Sequence, residues 1–285
     1  MNIKFYLRFH TKFGQSLWVS GNIDELGNDD PVNAIAMNYL NEEFWHYNLE
    51  IRKKDLQKKI RYKYFLKTED GELLSEWENE RYLYDLRKDI NEIQLVDTWN
   101  HAGEYENAFF SAPFRKVLLK TKSFKNKEDD DKTFTHIFKV KAPLLNKNEV
   151  LCMAGNTELL GNWSTEKPAL MDKPGDWWML KLDLADCDFP IAYKYGIYNN
   201  KEKKFKSFEN GNNRLLYSDS SKKKISIVHD GFVHFPNNTW RGSGVAIPVF
   251  SLRSKNSFGV GEFSDIRLLV DWANETSLKL IHRGI

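Results

Sequence analysis

The sequence predicts an all-β chain of two tandem antiparallel β-sandwich modules, followed by a single βαβ unit. Three observations carry that prediction. The first is an internal repeat. Gly21-Asn22-Ile23-Asp24-Glu25-Leu26-Gly27-Asn28 returns as Gly155-Asn156-Thr157-Glu158-Leu159-Leu160-Gly161-Asn162. Ile60-Arg61-Tyr62-Lys63-Tyr64 returns as Ile191-Ala192-Tyr193-Lys194-Tyr195, and Trp77-Glu78 with Arg81 returns as Phe208-Glu209 with Arg214. Blocks that recur in one order at nearly constant spacing mark two copies of one structural unit. The second observation is a grammar of short aromatic and β-branched runs with turn residues between them. The third is an abrupt change of that grammar after Trp240.

The elements follow in order. Ile3–Phe9, Leu17–Ser20, Phe44–Leu49, Ile60–Leu66 and Ile93–Val96 read as strands without a long amphipathic helix between them, the pattern of an antiparallel sandwich. Lys120–Lys132 is rich in Asp and Lys and reads as a loop at the boundary between the copies. The second copy runs through Ile137–Lys141, Val150–Met153, Trp178–Leu182, Ala192–Tyr198 and Ile225–Val228, with a turn at Asn210-Gly211-Asn212-Asn213. Beyond Trp240, Gly244–Val249 reads as a strand buried on both faces of a parallel sheet. Ser264 then reads as the cap of a helix whose apolar positions are Ile266, Leu269, Val270 and Ala273, and Leu278–Ile281 as the next strand. The expected divisions are 1–118, the first module with a connector; 119–133, a charged linker; 134–236, the second module; and 237–285, the βαβ unit. One such unit cannot bury both faces of a sheet, so 237–285 reads as the truncated start of a further domain.

Composition narrows the function classes. Forty-two basic and 40 acidic residues nearly cancel, which gives no expectation of nucleic acid or anionic membrane as partner. Nine Trp and 14% aromatic residues are heavy usage; many of the rings must be core, because a Trp buries a large area, and surface stacking is the alternative for the rest. Cys152 and Cys187 show no CxxC spacing, and the seven His are scattered, so no metal and no cofactor is expected. The amino terminus enters a strand pattern without a signal region, and no apolar run reaches the ~20 residues of a membrane span. A reducing cytoplasm is the expected compartment. Gly242-Ser243-Gly244 precedes its strand instead of following one, and so fails as a dinucleotide motif. Gly259-Val260-Gly261 reads as a turn. Neither a nucleophilic triad nor a pair of catalytic carboxylates can be assigned.

Each copy resembles the starch-binding modules of carbohydrate-binding module family 20, immunoglobulin-like sandwiches, over residues 1–100 and 134–233. The family's pattern is a strand, then Gly-x-x-x-x-Leu-Gly-Asn-Trp, a Trp-bearing strand, Tyr-Lys-Tyr, Trp-Glu with a following Asn-Arg, and a closing strand. The resemblance implies a sugar site of two angled rings and a Lys on loops of a rigid sandwich. In the second copy it places the first ring at Trp163, the Lys at Lys194 and the second ring at Phe208, where the family has Trp, with Glu209 and Asn213 beside them. In the first copy it places Lys63, Trp77 and Glu78, with Asp29 where the first ring belongs and a turn before Arg81 that is two residues shorter. Phe13 matches an aromatic of the family's second site, which Lys147 replaces in the second copy. Trp45 and Trp178 read as core. A solvated strand face remains the alternative reading of Lys63 and Lys194.

Arg241–Ser254 followed by Phe258–Asp265 resembles the opening of the 4-α-glucanotransferases of glycoside hydrolase family 77, whose catalytic domain is a (β/α)₈ barrel. The resemblance implies the α-glucan-binding portion of an enzyme that transfers α-1,4-glucan segments through a retaining, covalent intermediate. Its partner would be starch, glycogen or maltodextrin. The catalytic residues would lie on later barrel strands, so none is assigned and the chain itself is expected to be inactive. The ending Ile281-His282-Arg283-Gly284-Ile285 departs from the apolar second strand expected there. A stand-alone α-glucan-binding adaptor is the alternative, and an interaction sandwich without a sugar site is a third.

Overall fold

The structure, a computed structural model, describes residues 1–52, 59–77, 81–83, 90–119, 123–125, 133–217, 223–236 and 239–282. The chain divides into two compact units, Met1–Asn237 and Asn238–Ile285. In the first unit the first copy supplies β1 (Asn2–Arg8), β2 (Ser16–Gly21), β3 (Ile35–Ala36), β4 (Asn38–Tyr39) and β5 (Phe44–Glu50). It continues with β6 (Ile60–Lys67), β7 (Leu73–Ser75), β8 (Arg81–Leu83) and β9 (Glu92–Thr98). The second copy supplies β10 (His136–Lys141), β11 (Glu149–Gly155), β12 (Ala169–Leu170), β13 (Trp178–Leu182) and β14 (Ile191–Asn199). β15 (Lys204–Phe208), β16 (Arg214–Leu216) and β17 (Lys224–Phe232) complete it.

Period-two alternation decides what each strand buries. Along β1, Ile3, Phe5 and Leu7 are fully buried, while Lys4, Tyr6 and Arg8 on the opposite face are half-buried. Along β6 and β14 the rings Tyr62, Tyr64, Tyr193 and Tyr195 point inward and Lys63 and Lys194 outward. Trp45 and Trp178 are buried, as their strand positions imply.

The copies do not form two separate sandwiches. One seven-stranded sheet runs through both, in the order β13-β10-β17-β9-β1-β5-β4. Its middle is parallel, contrary to the antiparallel expectation: β1 pairs with β9, β9 with β17 and β17 with β10, Ile93 opposite Ile225 and Leu95 opposite Ile227. Each copy adds its own smaller sheet, β3-β2-β6-β7 with β8 on β6, and β12-β11-β14-β15 with β16 on β14. These cover opposite faces of the shared sheet. Ile225, Ile227 and Ile137 of the second copy join the core of Ile3, Phe5, Tyr62 and Ile93. Val96 of the first copy joins the core of Phe138, Val228, Tyr193 and Met153. β17 and the Leu95–Val96 end of β9 are therefore buried on both faces, in keeping with the nearly unbroken apolar runs Ile93-Gln94-Leu95-Val96 and Ile225-Ser226-Ile227-Val228.

Two buried carboxylates bridge the copies at the seam. Asp97 accepts hydrogen bonds from the Tyr62 and Tyr64 hydroxyls at 3.0 and 2.7 Å, and His229 Nδ1 of the other copy lies 2.5 Å from it. Asp230 accepts from the Tyr193 and Tyr195 hydroxyls at 2.7 and 2.8 Å, and Arg8 Nη1 of the other copy lies 3.3 Å away. Both carboxyls are held below the ordinary range because guanidiniums, Arg81 3.3 Å from Asp97 and Arg214 and Arg8 beside Asp230, together with the hydroxyl donors outweigh the cost of burial. Within the charged stretch between the copies, Phe124 forms a bridge with Lys173.

In the second unit β18 (Gly244–Ala246) and β19 (Leu280–His282) pair in parallel around α1 (Ile266–Glu275). β18 is shorter than the predicted strand, and Pro248 two residues on lacks the N–H to extend a ladder. Gly244 and Ala246 are exposed, so β18 is not buried on both faces. Ser264 is not the cap. It lies inside a 3₁₀ turn, Phe263–Asp265, where Asp265 accepts from the Glu262 N–H at 2.9 Å and the Ser257 hydroxyl at 2.8 Å. Ile266, Leu269 and Ala273 turn inward and Val270 is exposed.

Candidate functional site

The repeated Gly-Asn block builds the site's first turn. A Cβ on Gly155 would stand 2.5 Å from the Ala192 carbonyl oxygen, and one on Gly21 2.4 Å from that of Arg61. Only glycine permits the strand to approach so closely. The next residue locks the contact: Asn156 Oδ1 accepts from the Ala192 N–H at 2.9 Å, as Asn22 Oδ1 does from Arg61. Leu160 and Leu26 anchor the turn in the two cores. The chain then takes three successive left-handed residues, Gly161, Asn162 and Trp163 in the second copy, Gly27, Asn28 and Asp29 in the first. In the second copy this turn leaves the Trp163 ring half-exposed.

Phe208, at the end of β15, brings the second ring. Its centroid lies 6.5 Å from that of Trp163 with the planes at 73°. Phe205 supports it from behind at 4.6 Å, and Phe205 in turn lies over Gly196, where any Cβ would clash at 2.4 Å. Lys194 projects on the same outer face of β14, and its Nζ donates to the Gly211 carbonyl at 2.6 Å, holding the 209–213 loop. Since Tyr193 pairs with Arg214 in register, Asn213 lies next to Lys194 across the strands. Asn213 is exposed. The structure thus gathers Trp163, Phe208, Lys194 and Asn213 into one surface of two angled rings with an ammonium and an amide at its edge.

Glu209 is corrected to a buried support. Both its oxygens receive Arg214, at 2.8–3.3 Å, and Oε1 accepts the Tyr195 N–H at 3.0 Å. The first copy repeats that lock with Glu76: it receives Arg81 at 2.9 and 3.1 Å and the Tyr64 N–H at 3.3 Å. Glu76, not Glu78, is therefore the counterpart of Glu209, and Ser75, not Trp77, stands in the place of Phe208. Ser75 faces Phe65 as Phe208 faces Gly196. Trp77 matches Asn210; their N–H groups donate to Asn100 and His234 carbonyls respectively. The signal was in the sequence: Glu76 to Arg81 has the same separation as Glu209 to Arg214, which removes the need for a shortened turn. Glu78 lies outside the described residues.

Among its described residues the first copy consequently presents no ring pair at the equivalent place. Asp29 is ion-paired with Arg61, filling with charge the place where Trp163 sits in the second copy. Lys63 is half-buried on the outer face, and Trp77, 57% exposed, stands away from the second-ring position. Phe13 is completely exposed at the β1–β2 turn, and Lys147 is exposed at the equivalent turn. Sequence reasoning missed Phe205 and Gly196, whose pairing is a size exchange: the first copy carries Phe65 where the second carries Gly196.

A family profile described as starch binding domain matches residues 1–88 and 134–228. The 4-alpha-glucanotransferase DPE2 of Oryza sativa subsp. japonica is 29% identical over 301 residues, covering 99% of this chain. This chain spans 31% of that protein's length. Among solved structures, the family 15 glucoamylase of Hypocrea jecorina is 25% identical, with a TM-score of 0.29 over 35% of this chain and 17% of its own. The family 20 module of a maltotetraose-forming amylase from Pseudomonas saccharophila STB07 is 18% identical, with a TM-score of 0.28, 33% of this chain and 97% of its own.

Proposed function

The chain belongs to the starch binding domain family, and from that premise we propose that it binds α-glucan through the Trp163–Phe208 surface of its second copy. The observation that carries this is the pair of half-exposed rings 6.5 Å apart at 73°. A glucose ring has an apolar C–H face, which desolvates well against an aromatic plane, and a rim of hydroxyls needing donors and acceptors. Two rings at an angle suit successive residues of a curved α-1,4-glucan. Lys194 and Asn213 at the edge supply hydrogen bonds to the rim. Glu209, Arg214 and Phe205 hold that geometry from beneath without reaching the sugar.

The whole protein, on this reading, is a 4-α-glucanotransferase, and this chain is its amino-terminal glucan-holding part. Alignment of 99% of the chain with a 4-α-glucanotransferase supports this. Residues 244–282 would open the catalytic barrel, a reading supported by the order β18-α1-β19 and their parallel pairing. Transfer itself would proceed with retention, through a carboxylate nucleophile and an acid/base partner. The chain supplies binding and not chemistry. A reducing cytoplasm suits the free Cys152 and Cys187.

Affinity electrophoresis in gels containing soluble starch or glycogen tests the reading. The chain should be retarded, Trp163→Ala should migrate as in a sugar-free gel, and Trp77→Ala should be retarded like the parent. An unretarded parent chain would refute α-glucan binding. Incubation with maltotriose should yield no longer oligomers; their appearance would show that the chain does more than bind.

A further inference from the structure

We propose that the groove between the Tyr6–Gln94 face of the shared sheet and β16 of the second copy is a further α-glucan subsite. It would receive the length of chain that leaves the Trp163–Phe208 surface, and so it rests on the α-glucan reading above. The cavity measures about 710 Å³, within the usual range for ligand sites. Its floor is Tyr6 and Gln94, and its wall is Asn213, Leu215 and Tyr217. Both copies are needed to make it.

Charge speaks against an anionic occupant. Among the described residues four cations line the groove, and every one has a carboxylate partner. Lys4 and Lys224 lie 2.8 and 3.6 Å from Glu92. Arg8 lies 2.8 Å from Glu43 and 3.3 Å from Asp230. Arg214 lies 2.8 Å from Glu209 and 3.5 Å from Asp230. Among the described residues of the groove, no positive charge is left over to recruit a phosphate or a carboxylate.

The groove is nonetheless polar where it is unoccupied by partners. Among the described residues, the Tyr6 and Tyr217 hydroxyls and the Asn213 side-chain amide make no hydrogen bond within the protein. Tyr217 is 73% exposed, and Leu215 beside it is also exposed. Neutral donors and acceptors interleaved with apolar surface match a neutral chain of hydroxylated rings.

Continuity identifies which chain. Asn213 belongs to both places: it adjoins Lys194 on the ring surface and lines the groove. From Asn213 to Tyr217 the strand edge advances about 13 Å, at roughly 3.3 Å per residue. A glucan seated on Trp163 and Phe208 and passing over Asn213 is led along that edge.

Calorimetry of the whole chain with maltotriose and with maltoheptaose separates the two claims. Maltoheptaose should bind at least about tenfold more tightly than maltotriose, the gain expected of one or two further hydrogen bonds and a stacked ring. Tyr217→Ala and Tyr6→Phe should each reduce that ratio while leaving maltotriose affinity unchanged. Tyr217 is exposed and Tyr6→Phe keeps the ring, so the fold has no reason to change. A length ratio that is absent from the parent, or that persists in both variants while maltotriose still binds, overturns the subsite and leaves the α-glucan reading standing. Failure to bind either sugar overturns both.

Discussion

Ile227 lies in the second copy by sequence and in the first copy's core by packing, and its truncation should show which of the two it serves. It is 6% exposed and contributes to the cluster of Ile3, Phe5, Tyr62 and Ile93. Ile227→Ala removes three buried carbons, worth about 2.4 kcal/mol at roughly 0.8 kcal/mol each. The site is the centre of a sheet covered on both faces and can collapse little, so the residual cavity should raise the cost toward about 4 kcal/mol. Native-state hydrogen exchange reads the effect residue by residue. Amides of β2 and β6, which lie in the first copy and make no backbone pairing with β17, should lose protection as much as those of β10 and β14. Urea unfolding should shift to a lower midpoint as one transition across Met1–Asn237, with an unchanged slope. If β2 and β6 keep their protection while the second copy loosens, or if the two copies unfold in separate transitions, the shared core is not what holds them together.

Two further outcomes are expected. His136 and His229 are each lowered to about 4 from 6.5, burial being the largest cause in both. The unfolded chain then takes up protons that the folded chain refuses, so their contribution is intact above about pH 6.5 and lost as pH falls toward 4. With both groups acting, stability should fall by about 2 kcal/mol per pH unit near pH 5; urea midpoints that stay level between pH 7 and 4.5 would contradict it. Gly155→Ala places a methyl against the Ala192 carbonyl and Leu160, which should cost about 1–3 kcal/mol and lower the melting temperature. Calorimetry showing no change would mean that the turn relaxes.

Much of the second copy's surface was legible as sequence. Trp163 follows a Gly-Asn turn whose glycines are imposed by a backbone approach and a left-handed bend, and Lys194 alternates with two tyrosines that must go inward to reach Asp230. Such signals are local, spanning a turn or a few strand residues. Trp77 misled because an aromatic beside a Glu resembles Phe208-Glu209, whereas the structurally decisive feature is the equal Glu-to-Arg spacing that lets a carboxylate grip a guanidinium across the turn. Glu209 misled in a different way: a charged residue next to a binding ring reads as a ligand contact until its oxygens are found already occupied.

The short strands β3, β4, β7, β8, β12, β15 and β16 were not legible, but the repeat, the longer strands of each copy with their inward faces, and the βαβ order of the second unit were. All of these follow from short-range periodicity and from turn residues with special dihedral requirements. Only the tertiary structure decided that β9 and β17 lie side by side, that each copy's core is completed by residues of the other, and that a groove opens between them. A period of two tells which face of a strand is buried but not which strand lies beside it. Pairing of two strands more than a hundred residues apart leaves in the sequence only an apolar run, and Gly244–Val249 carries the same run without being buried.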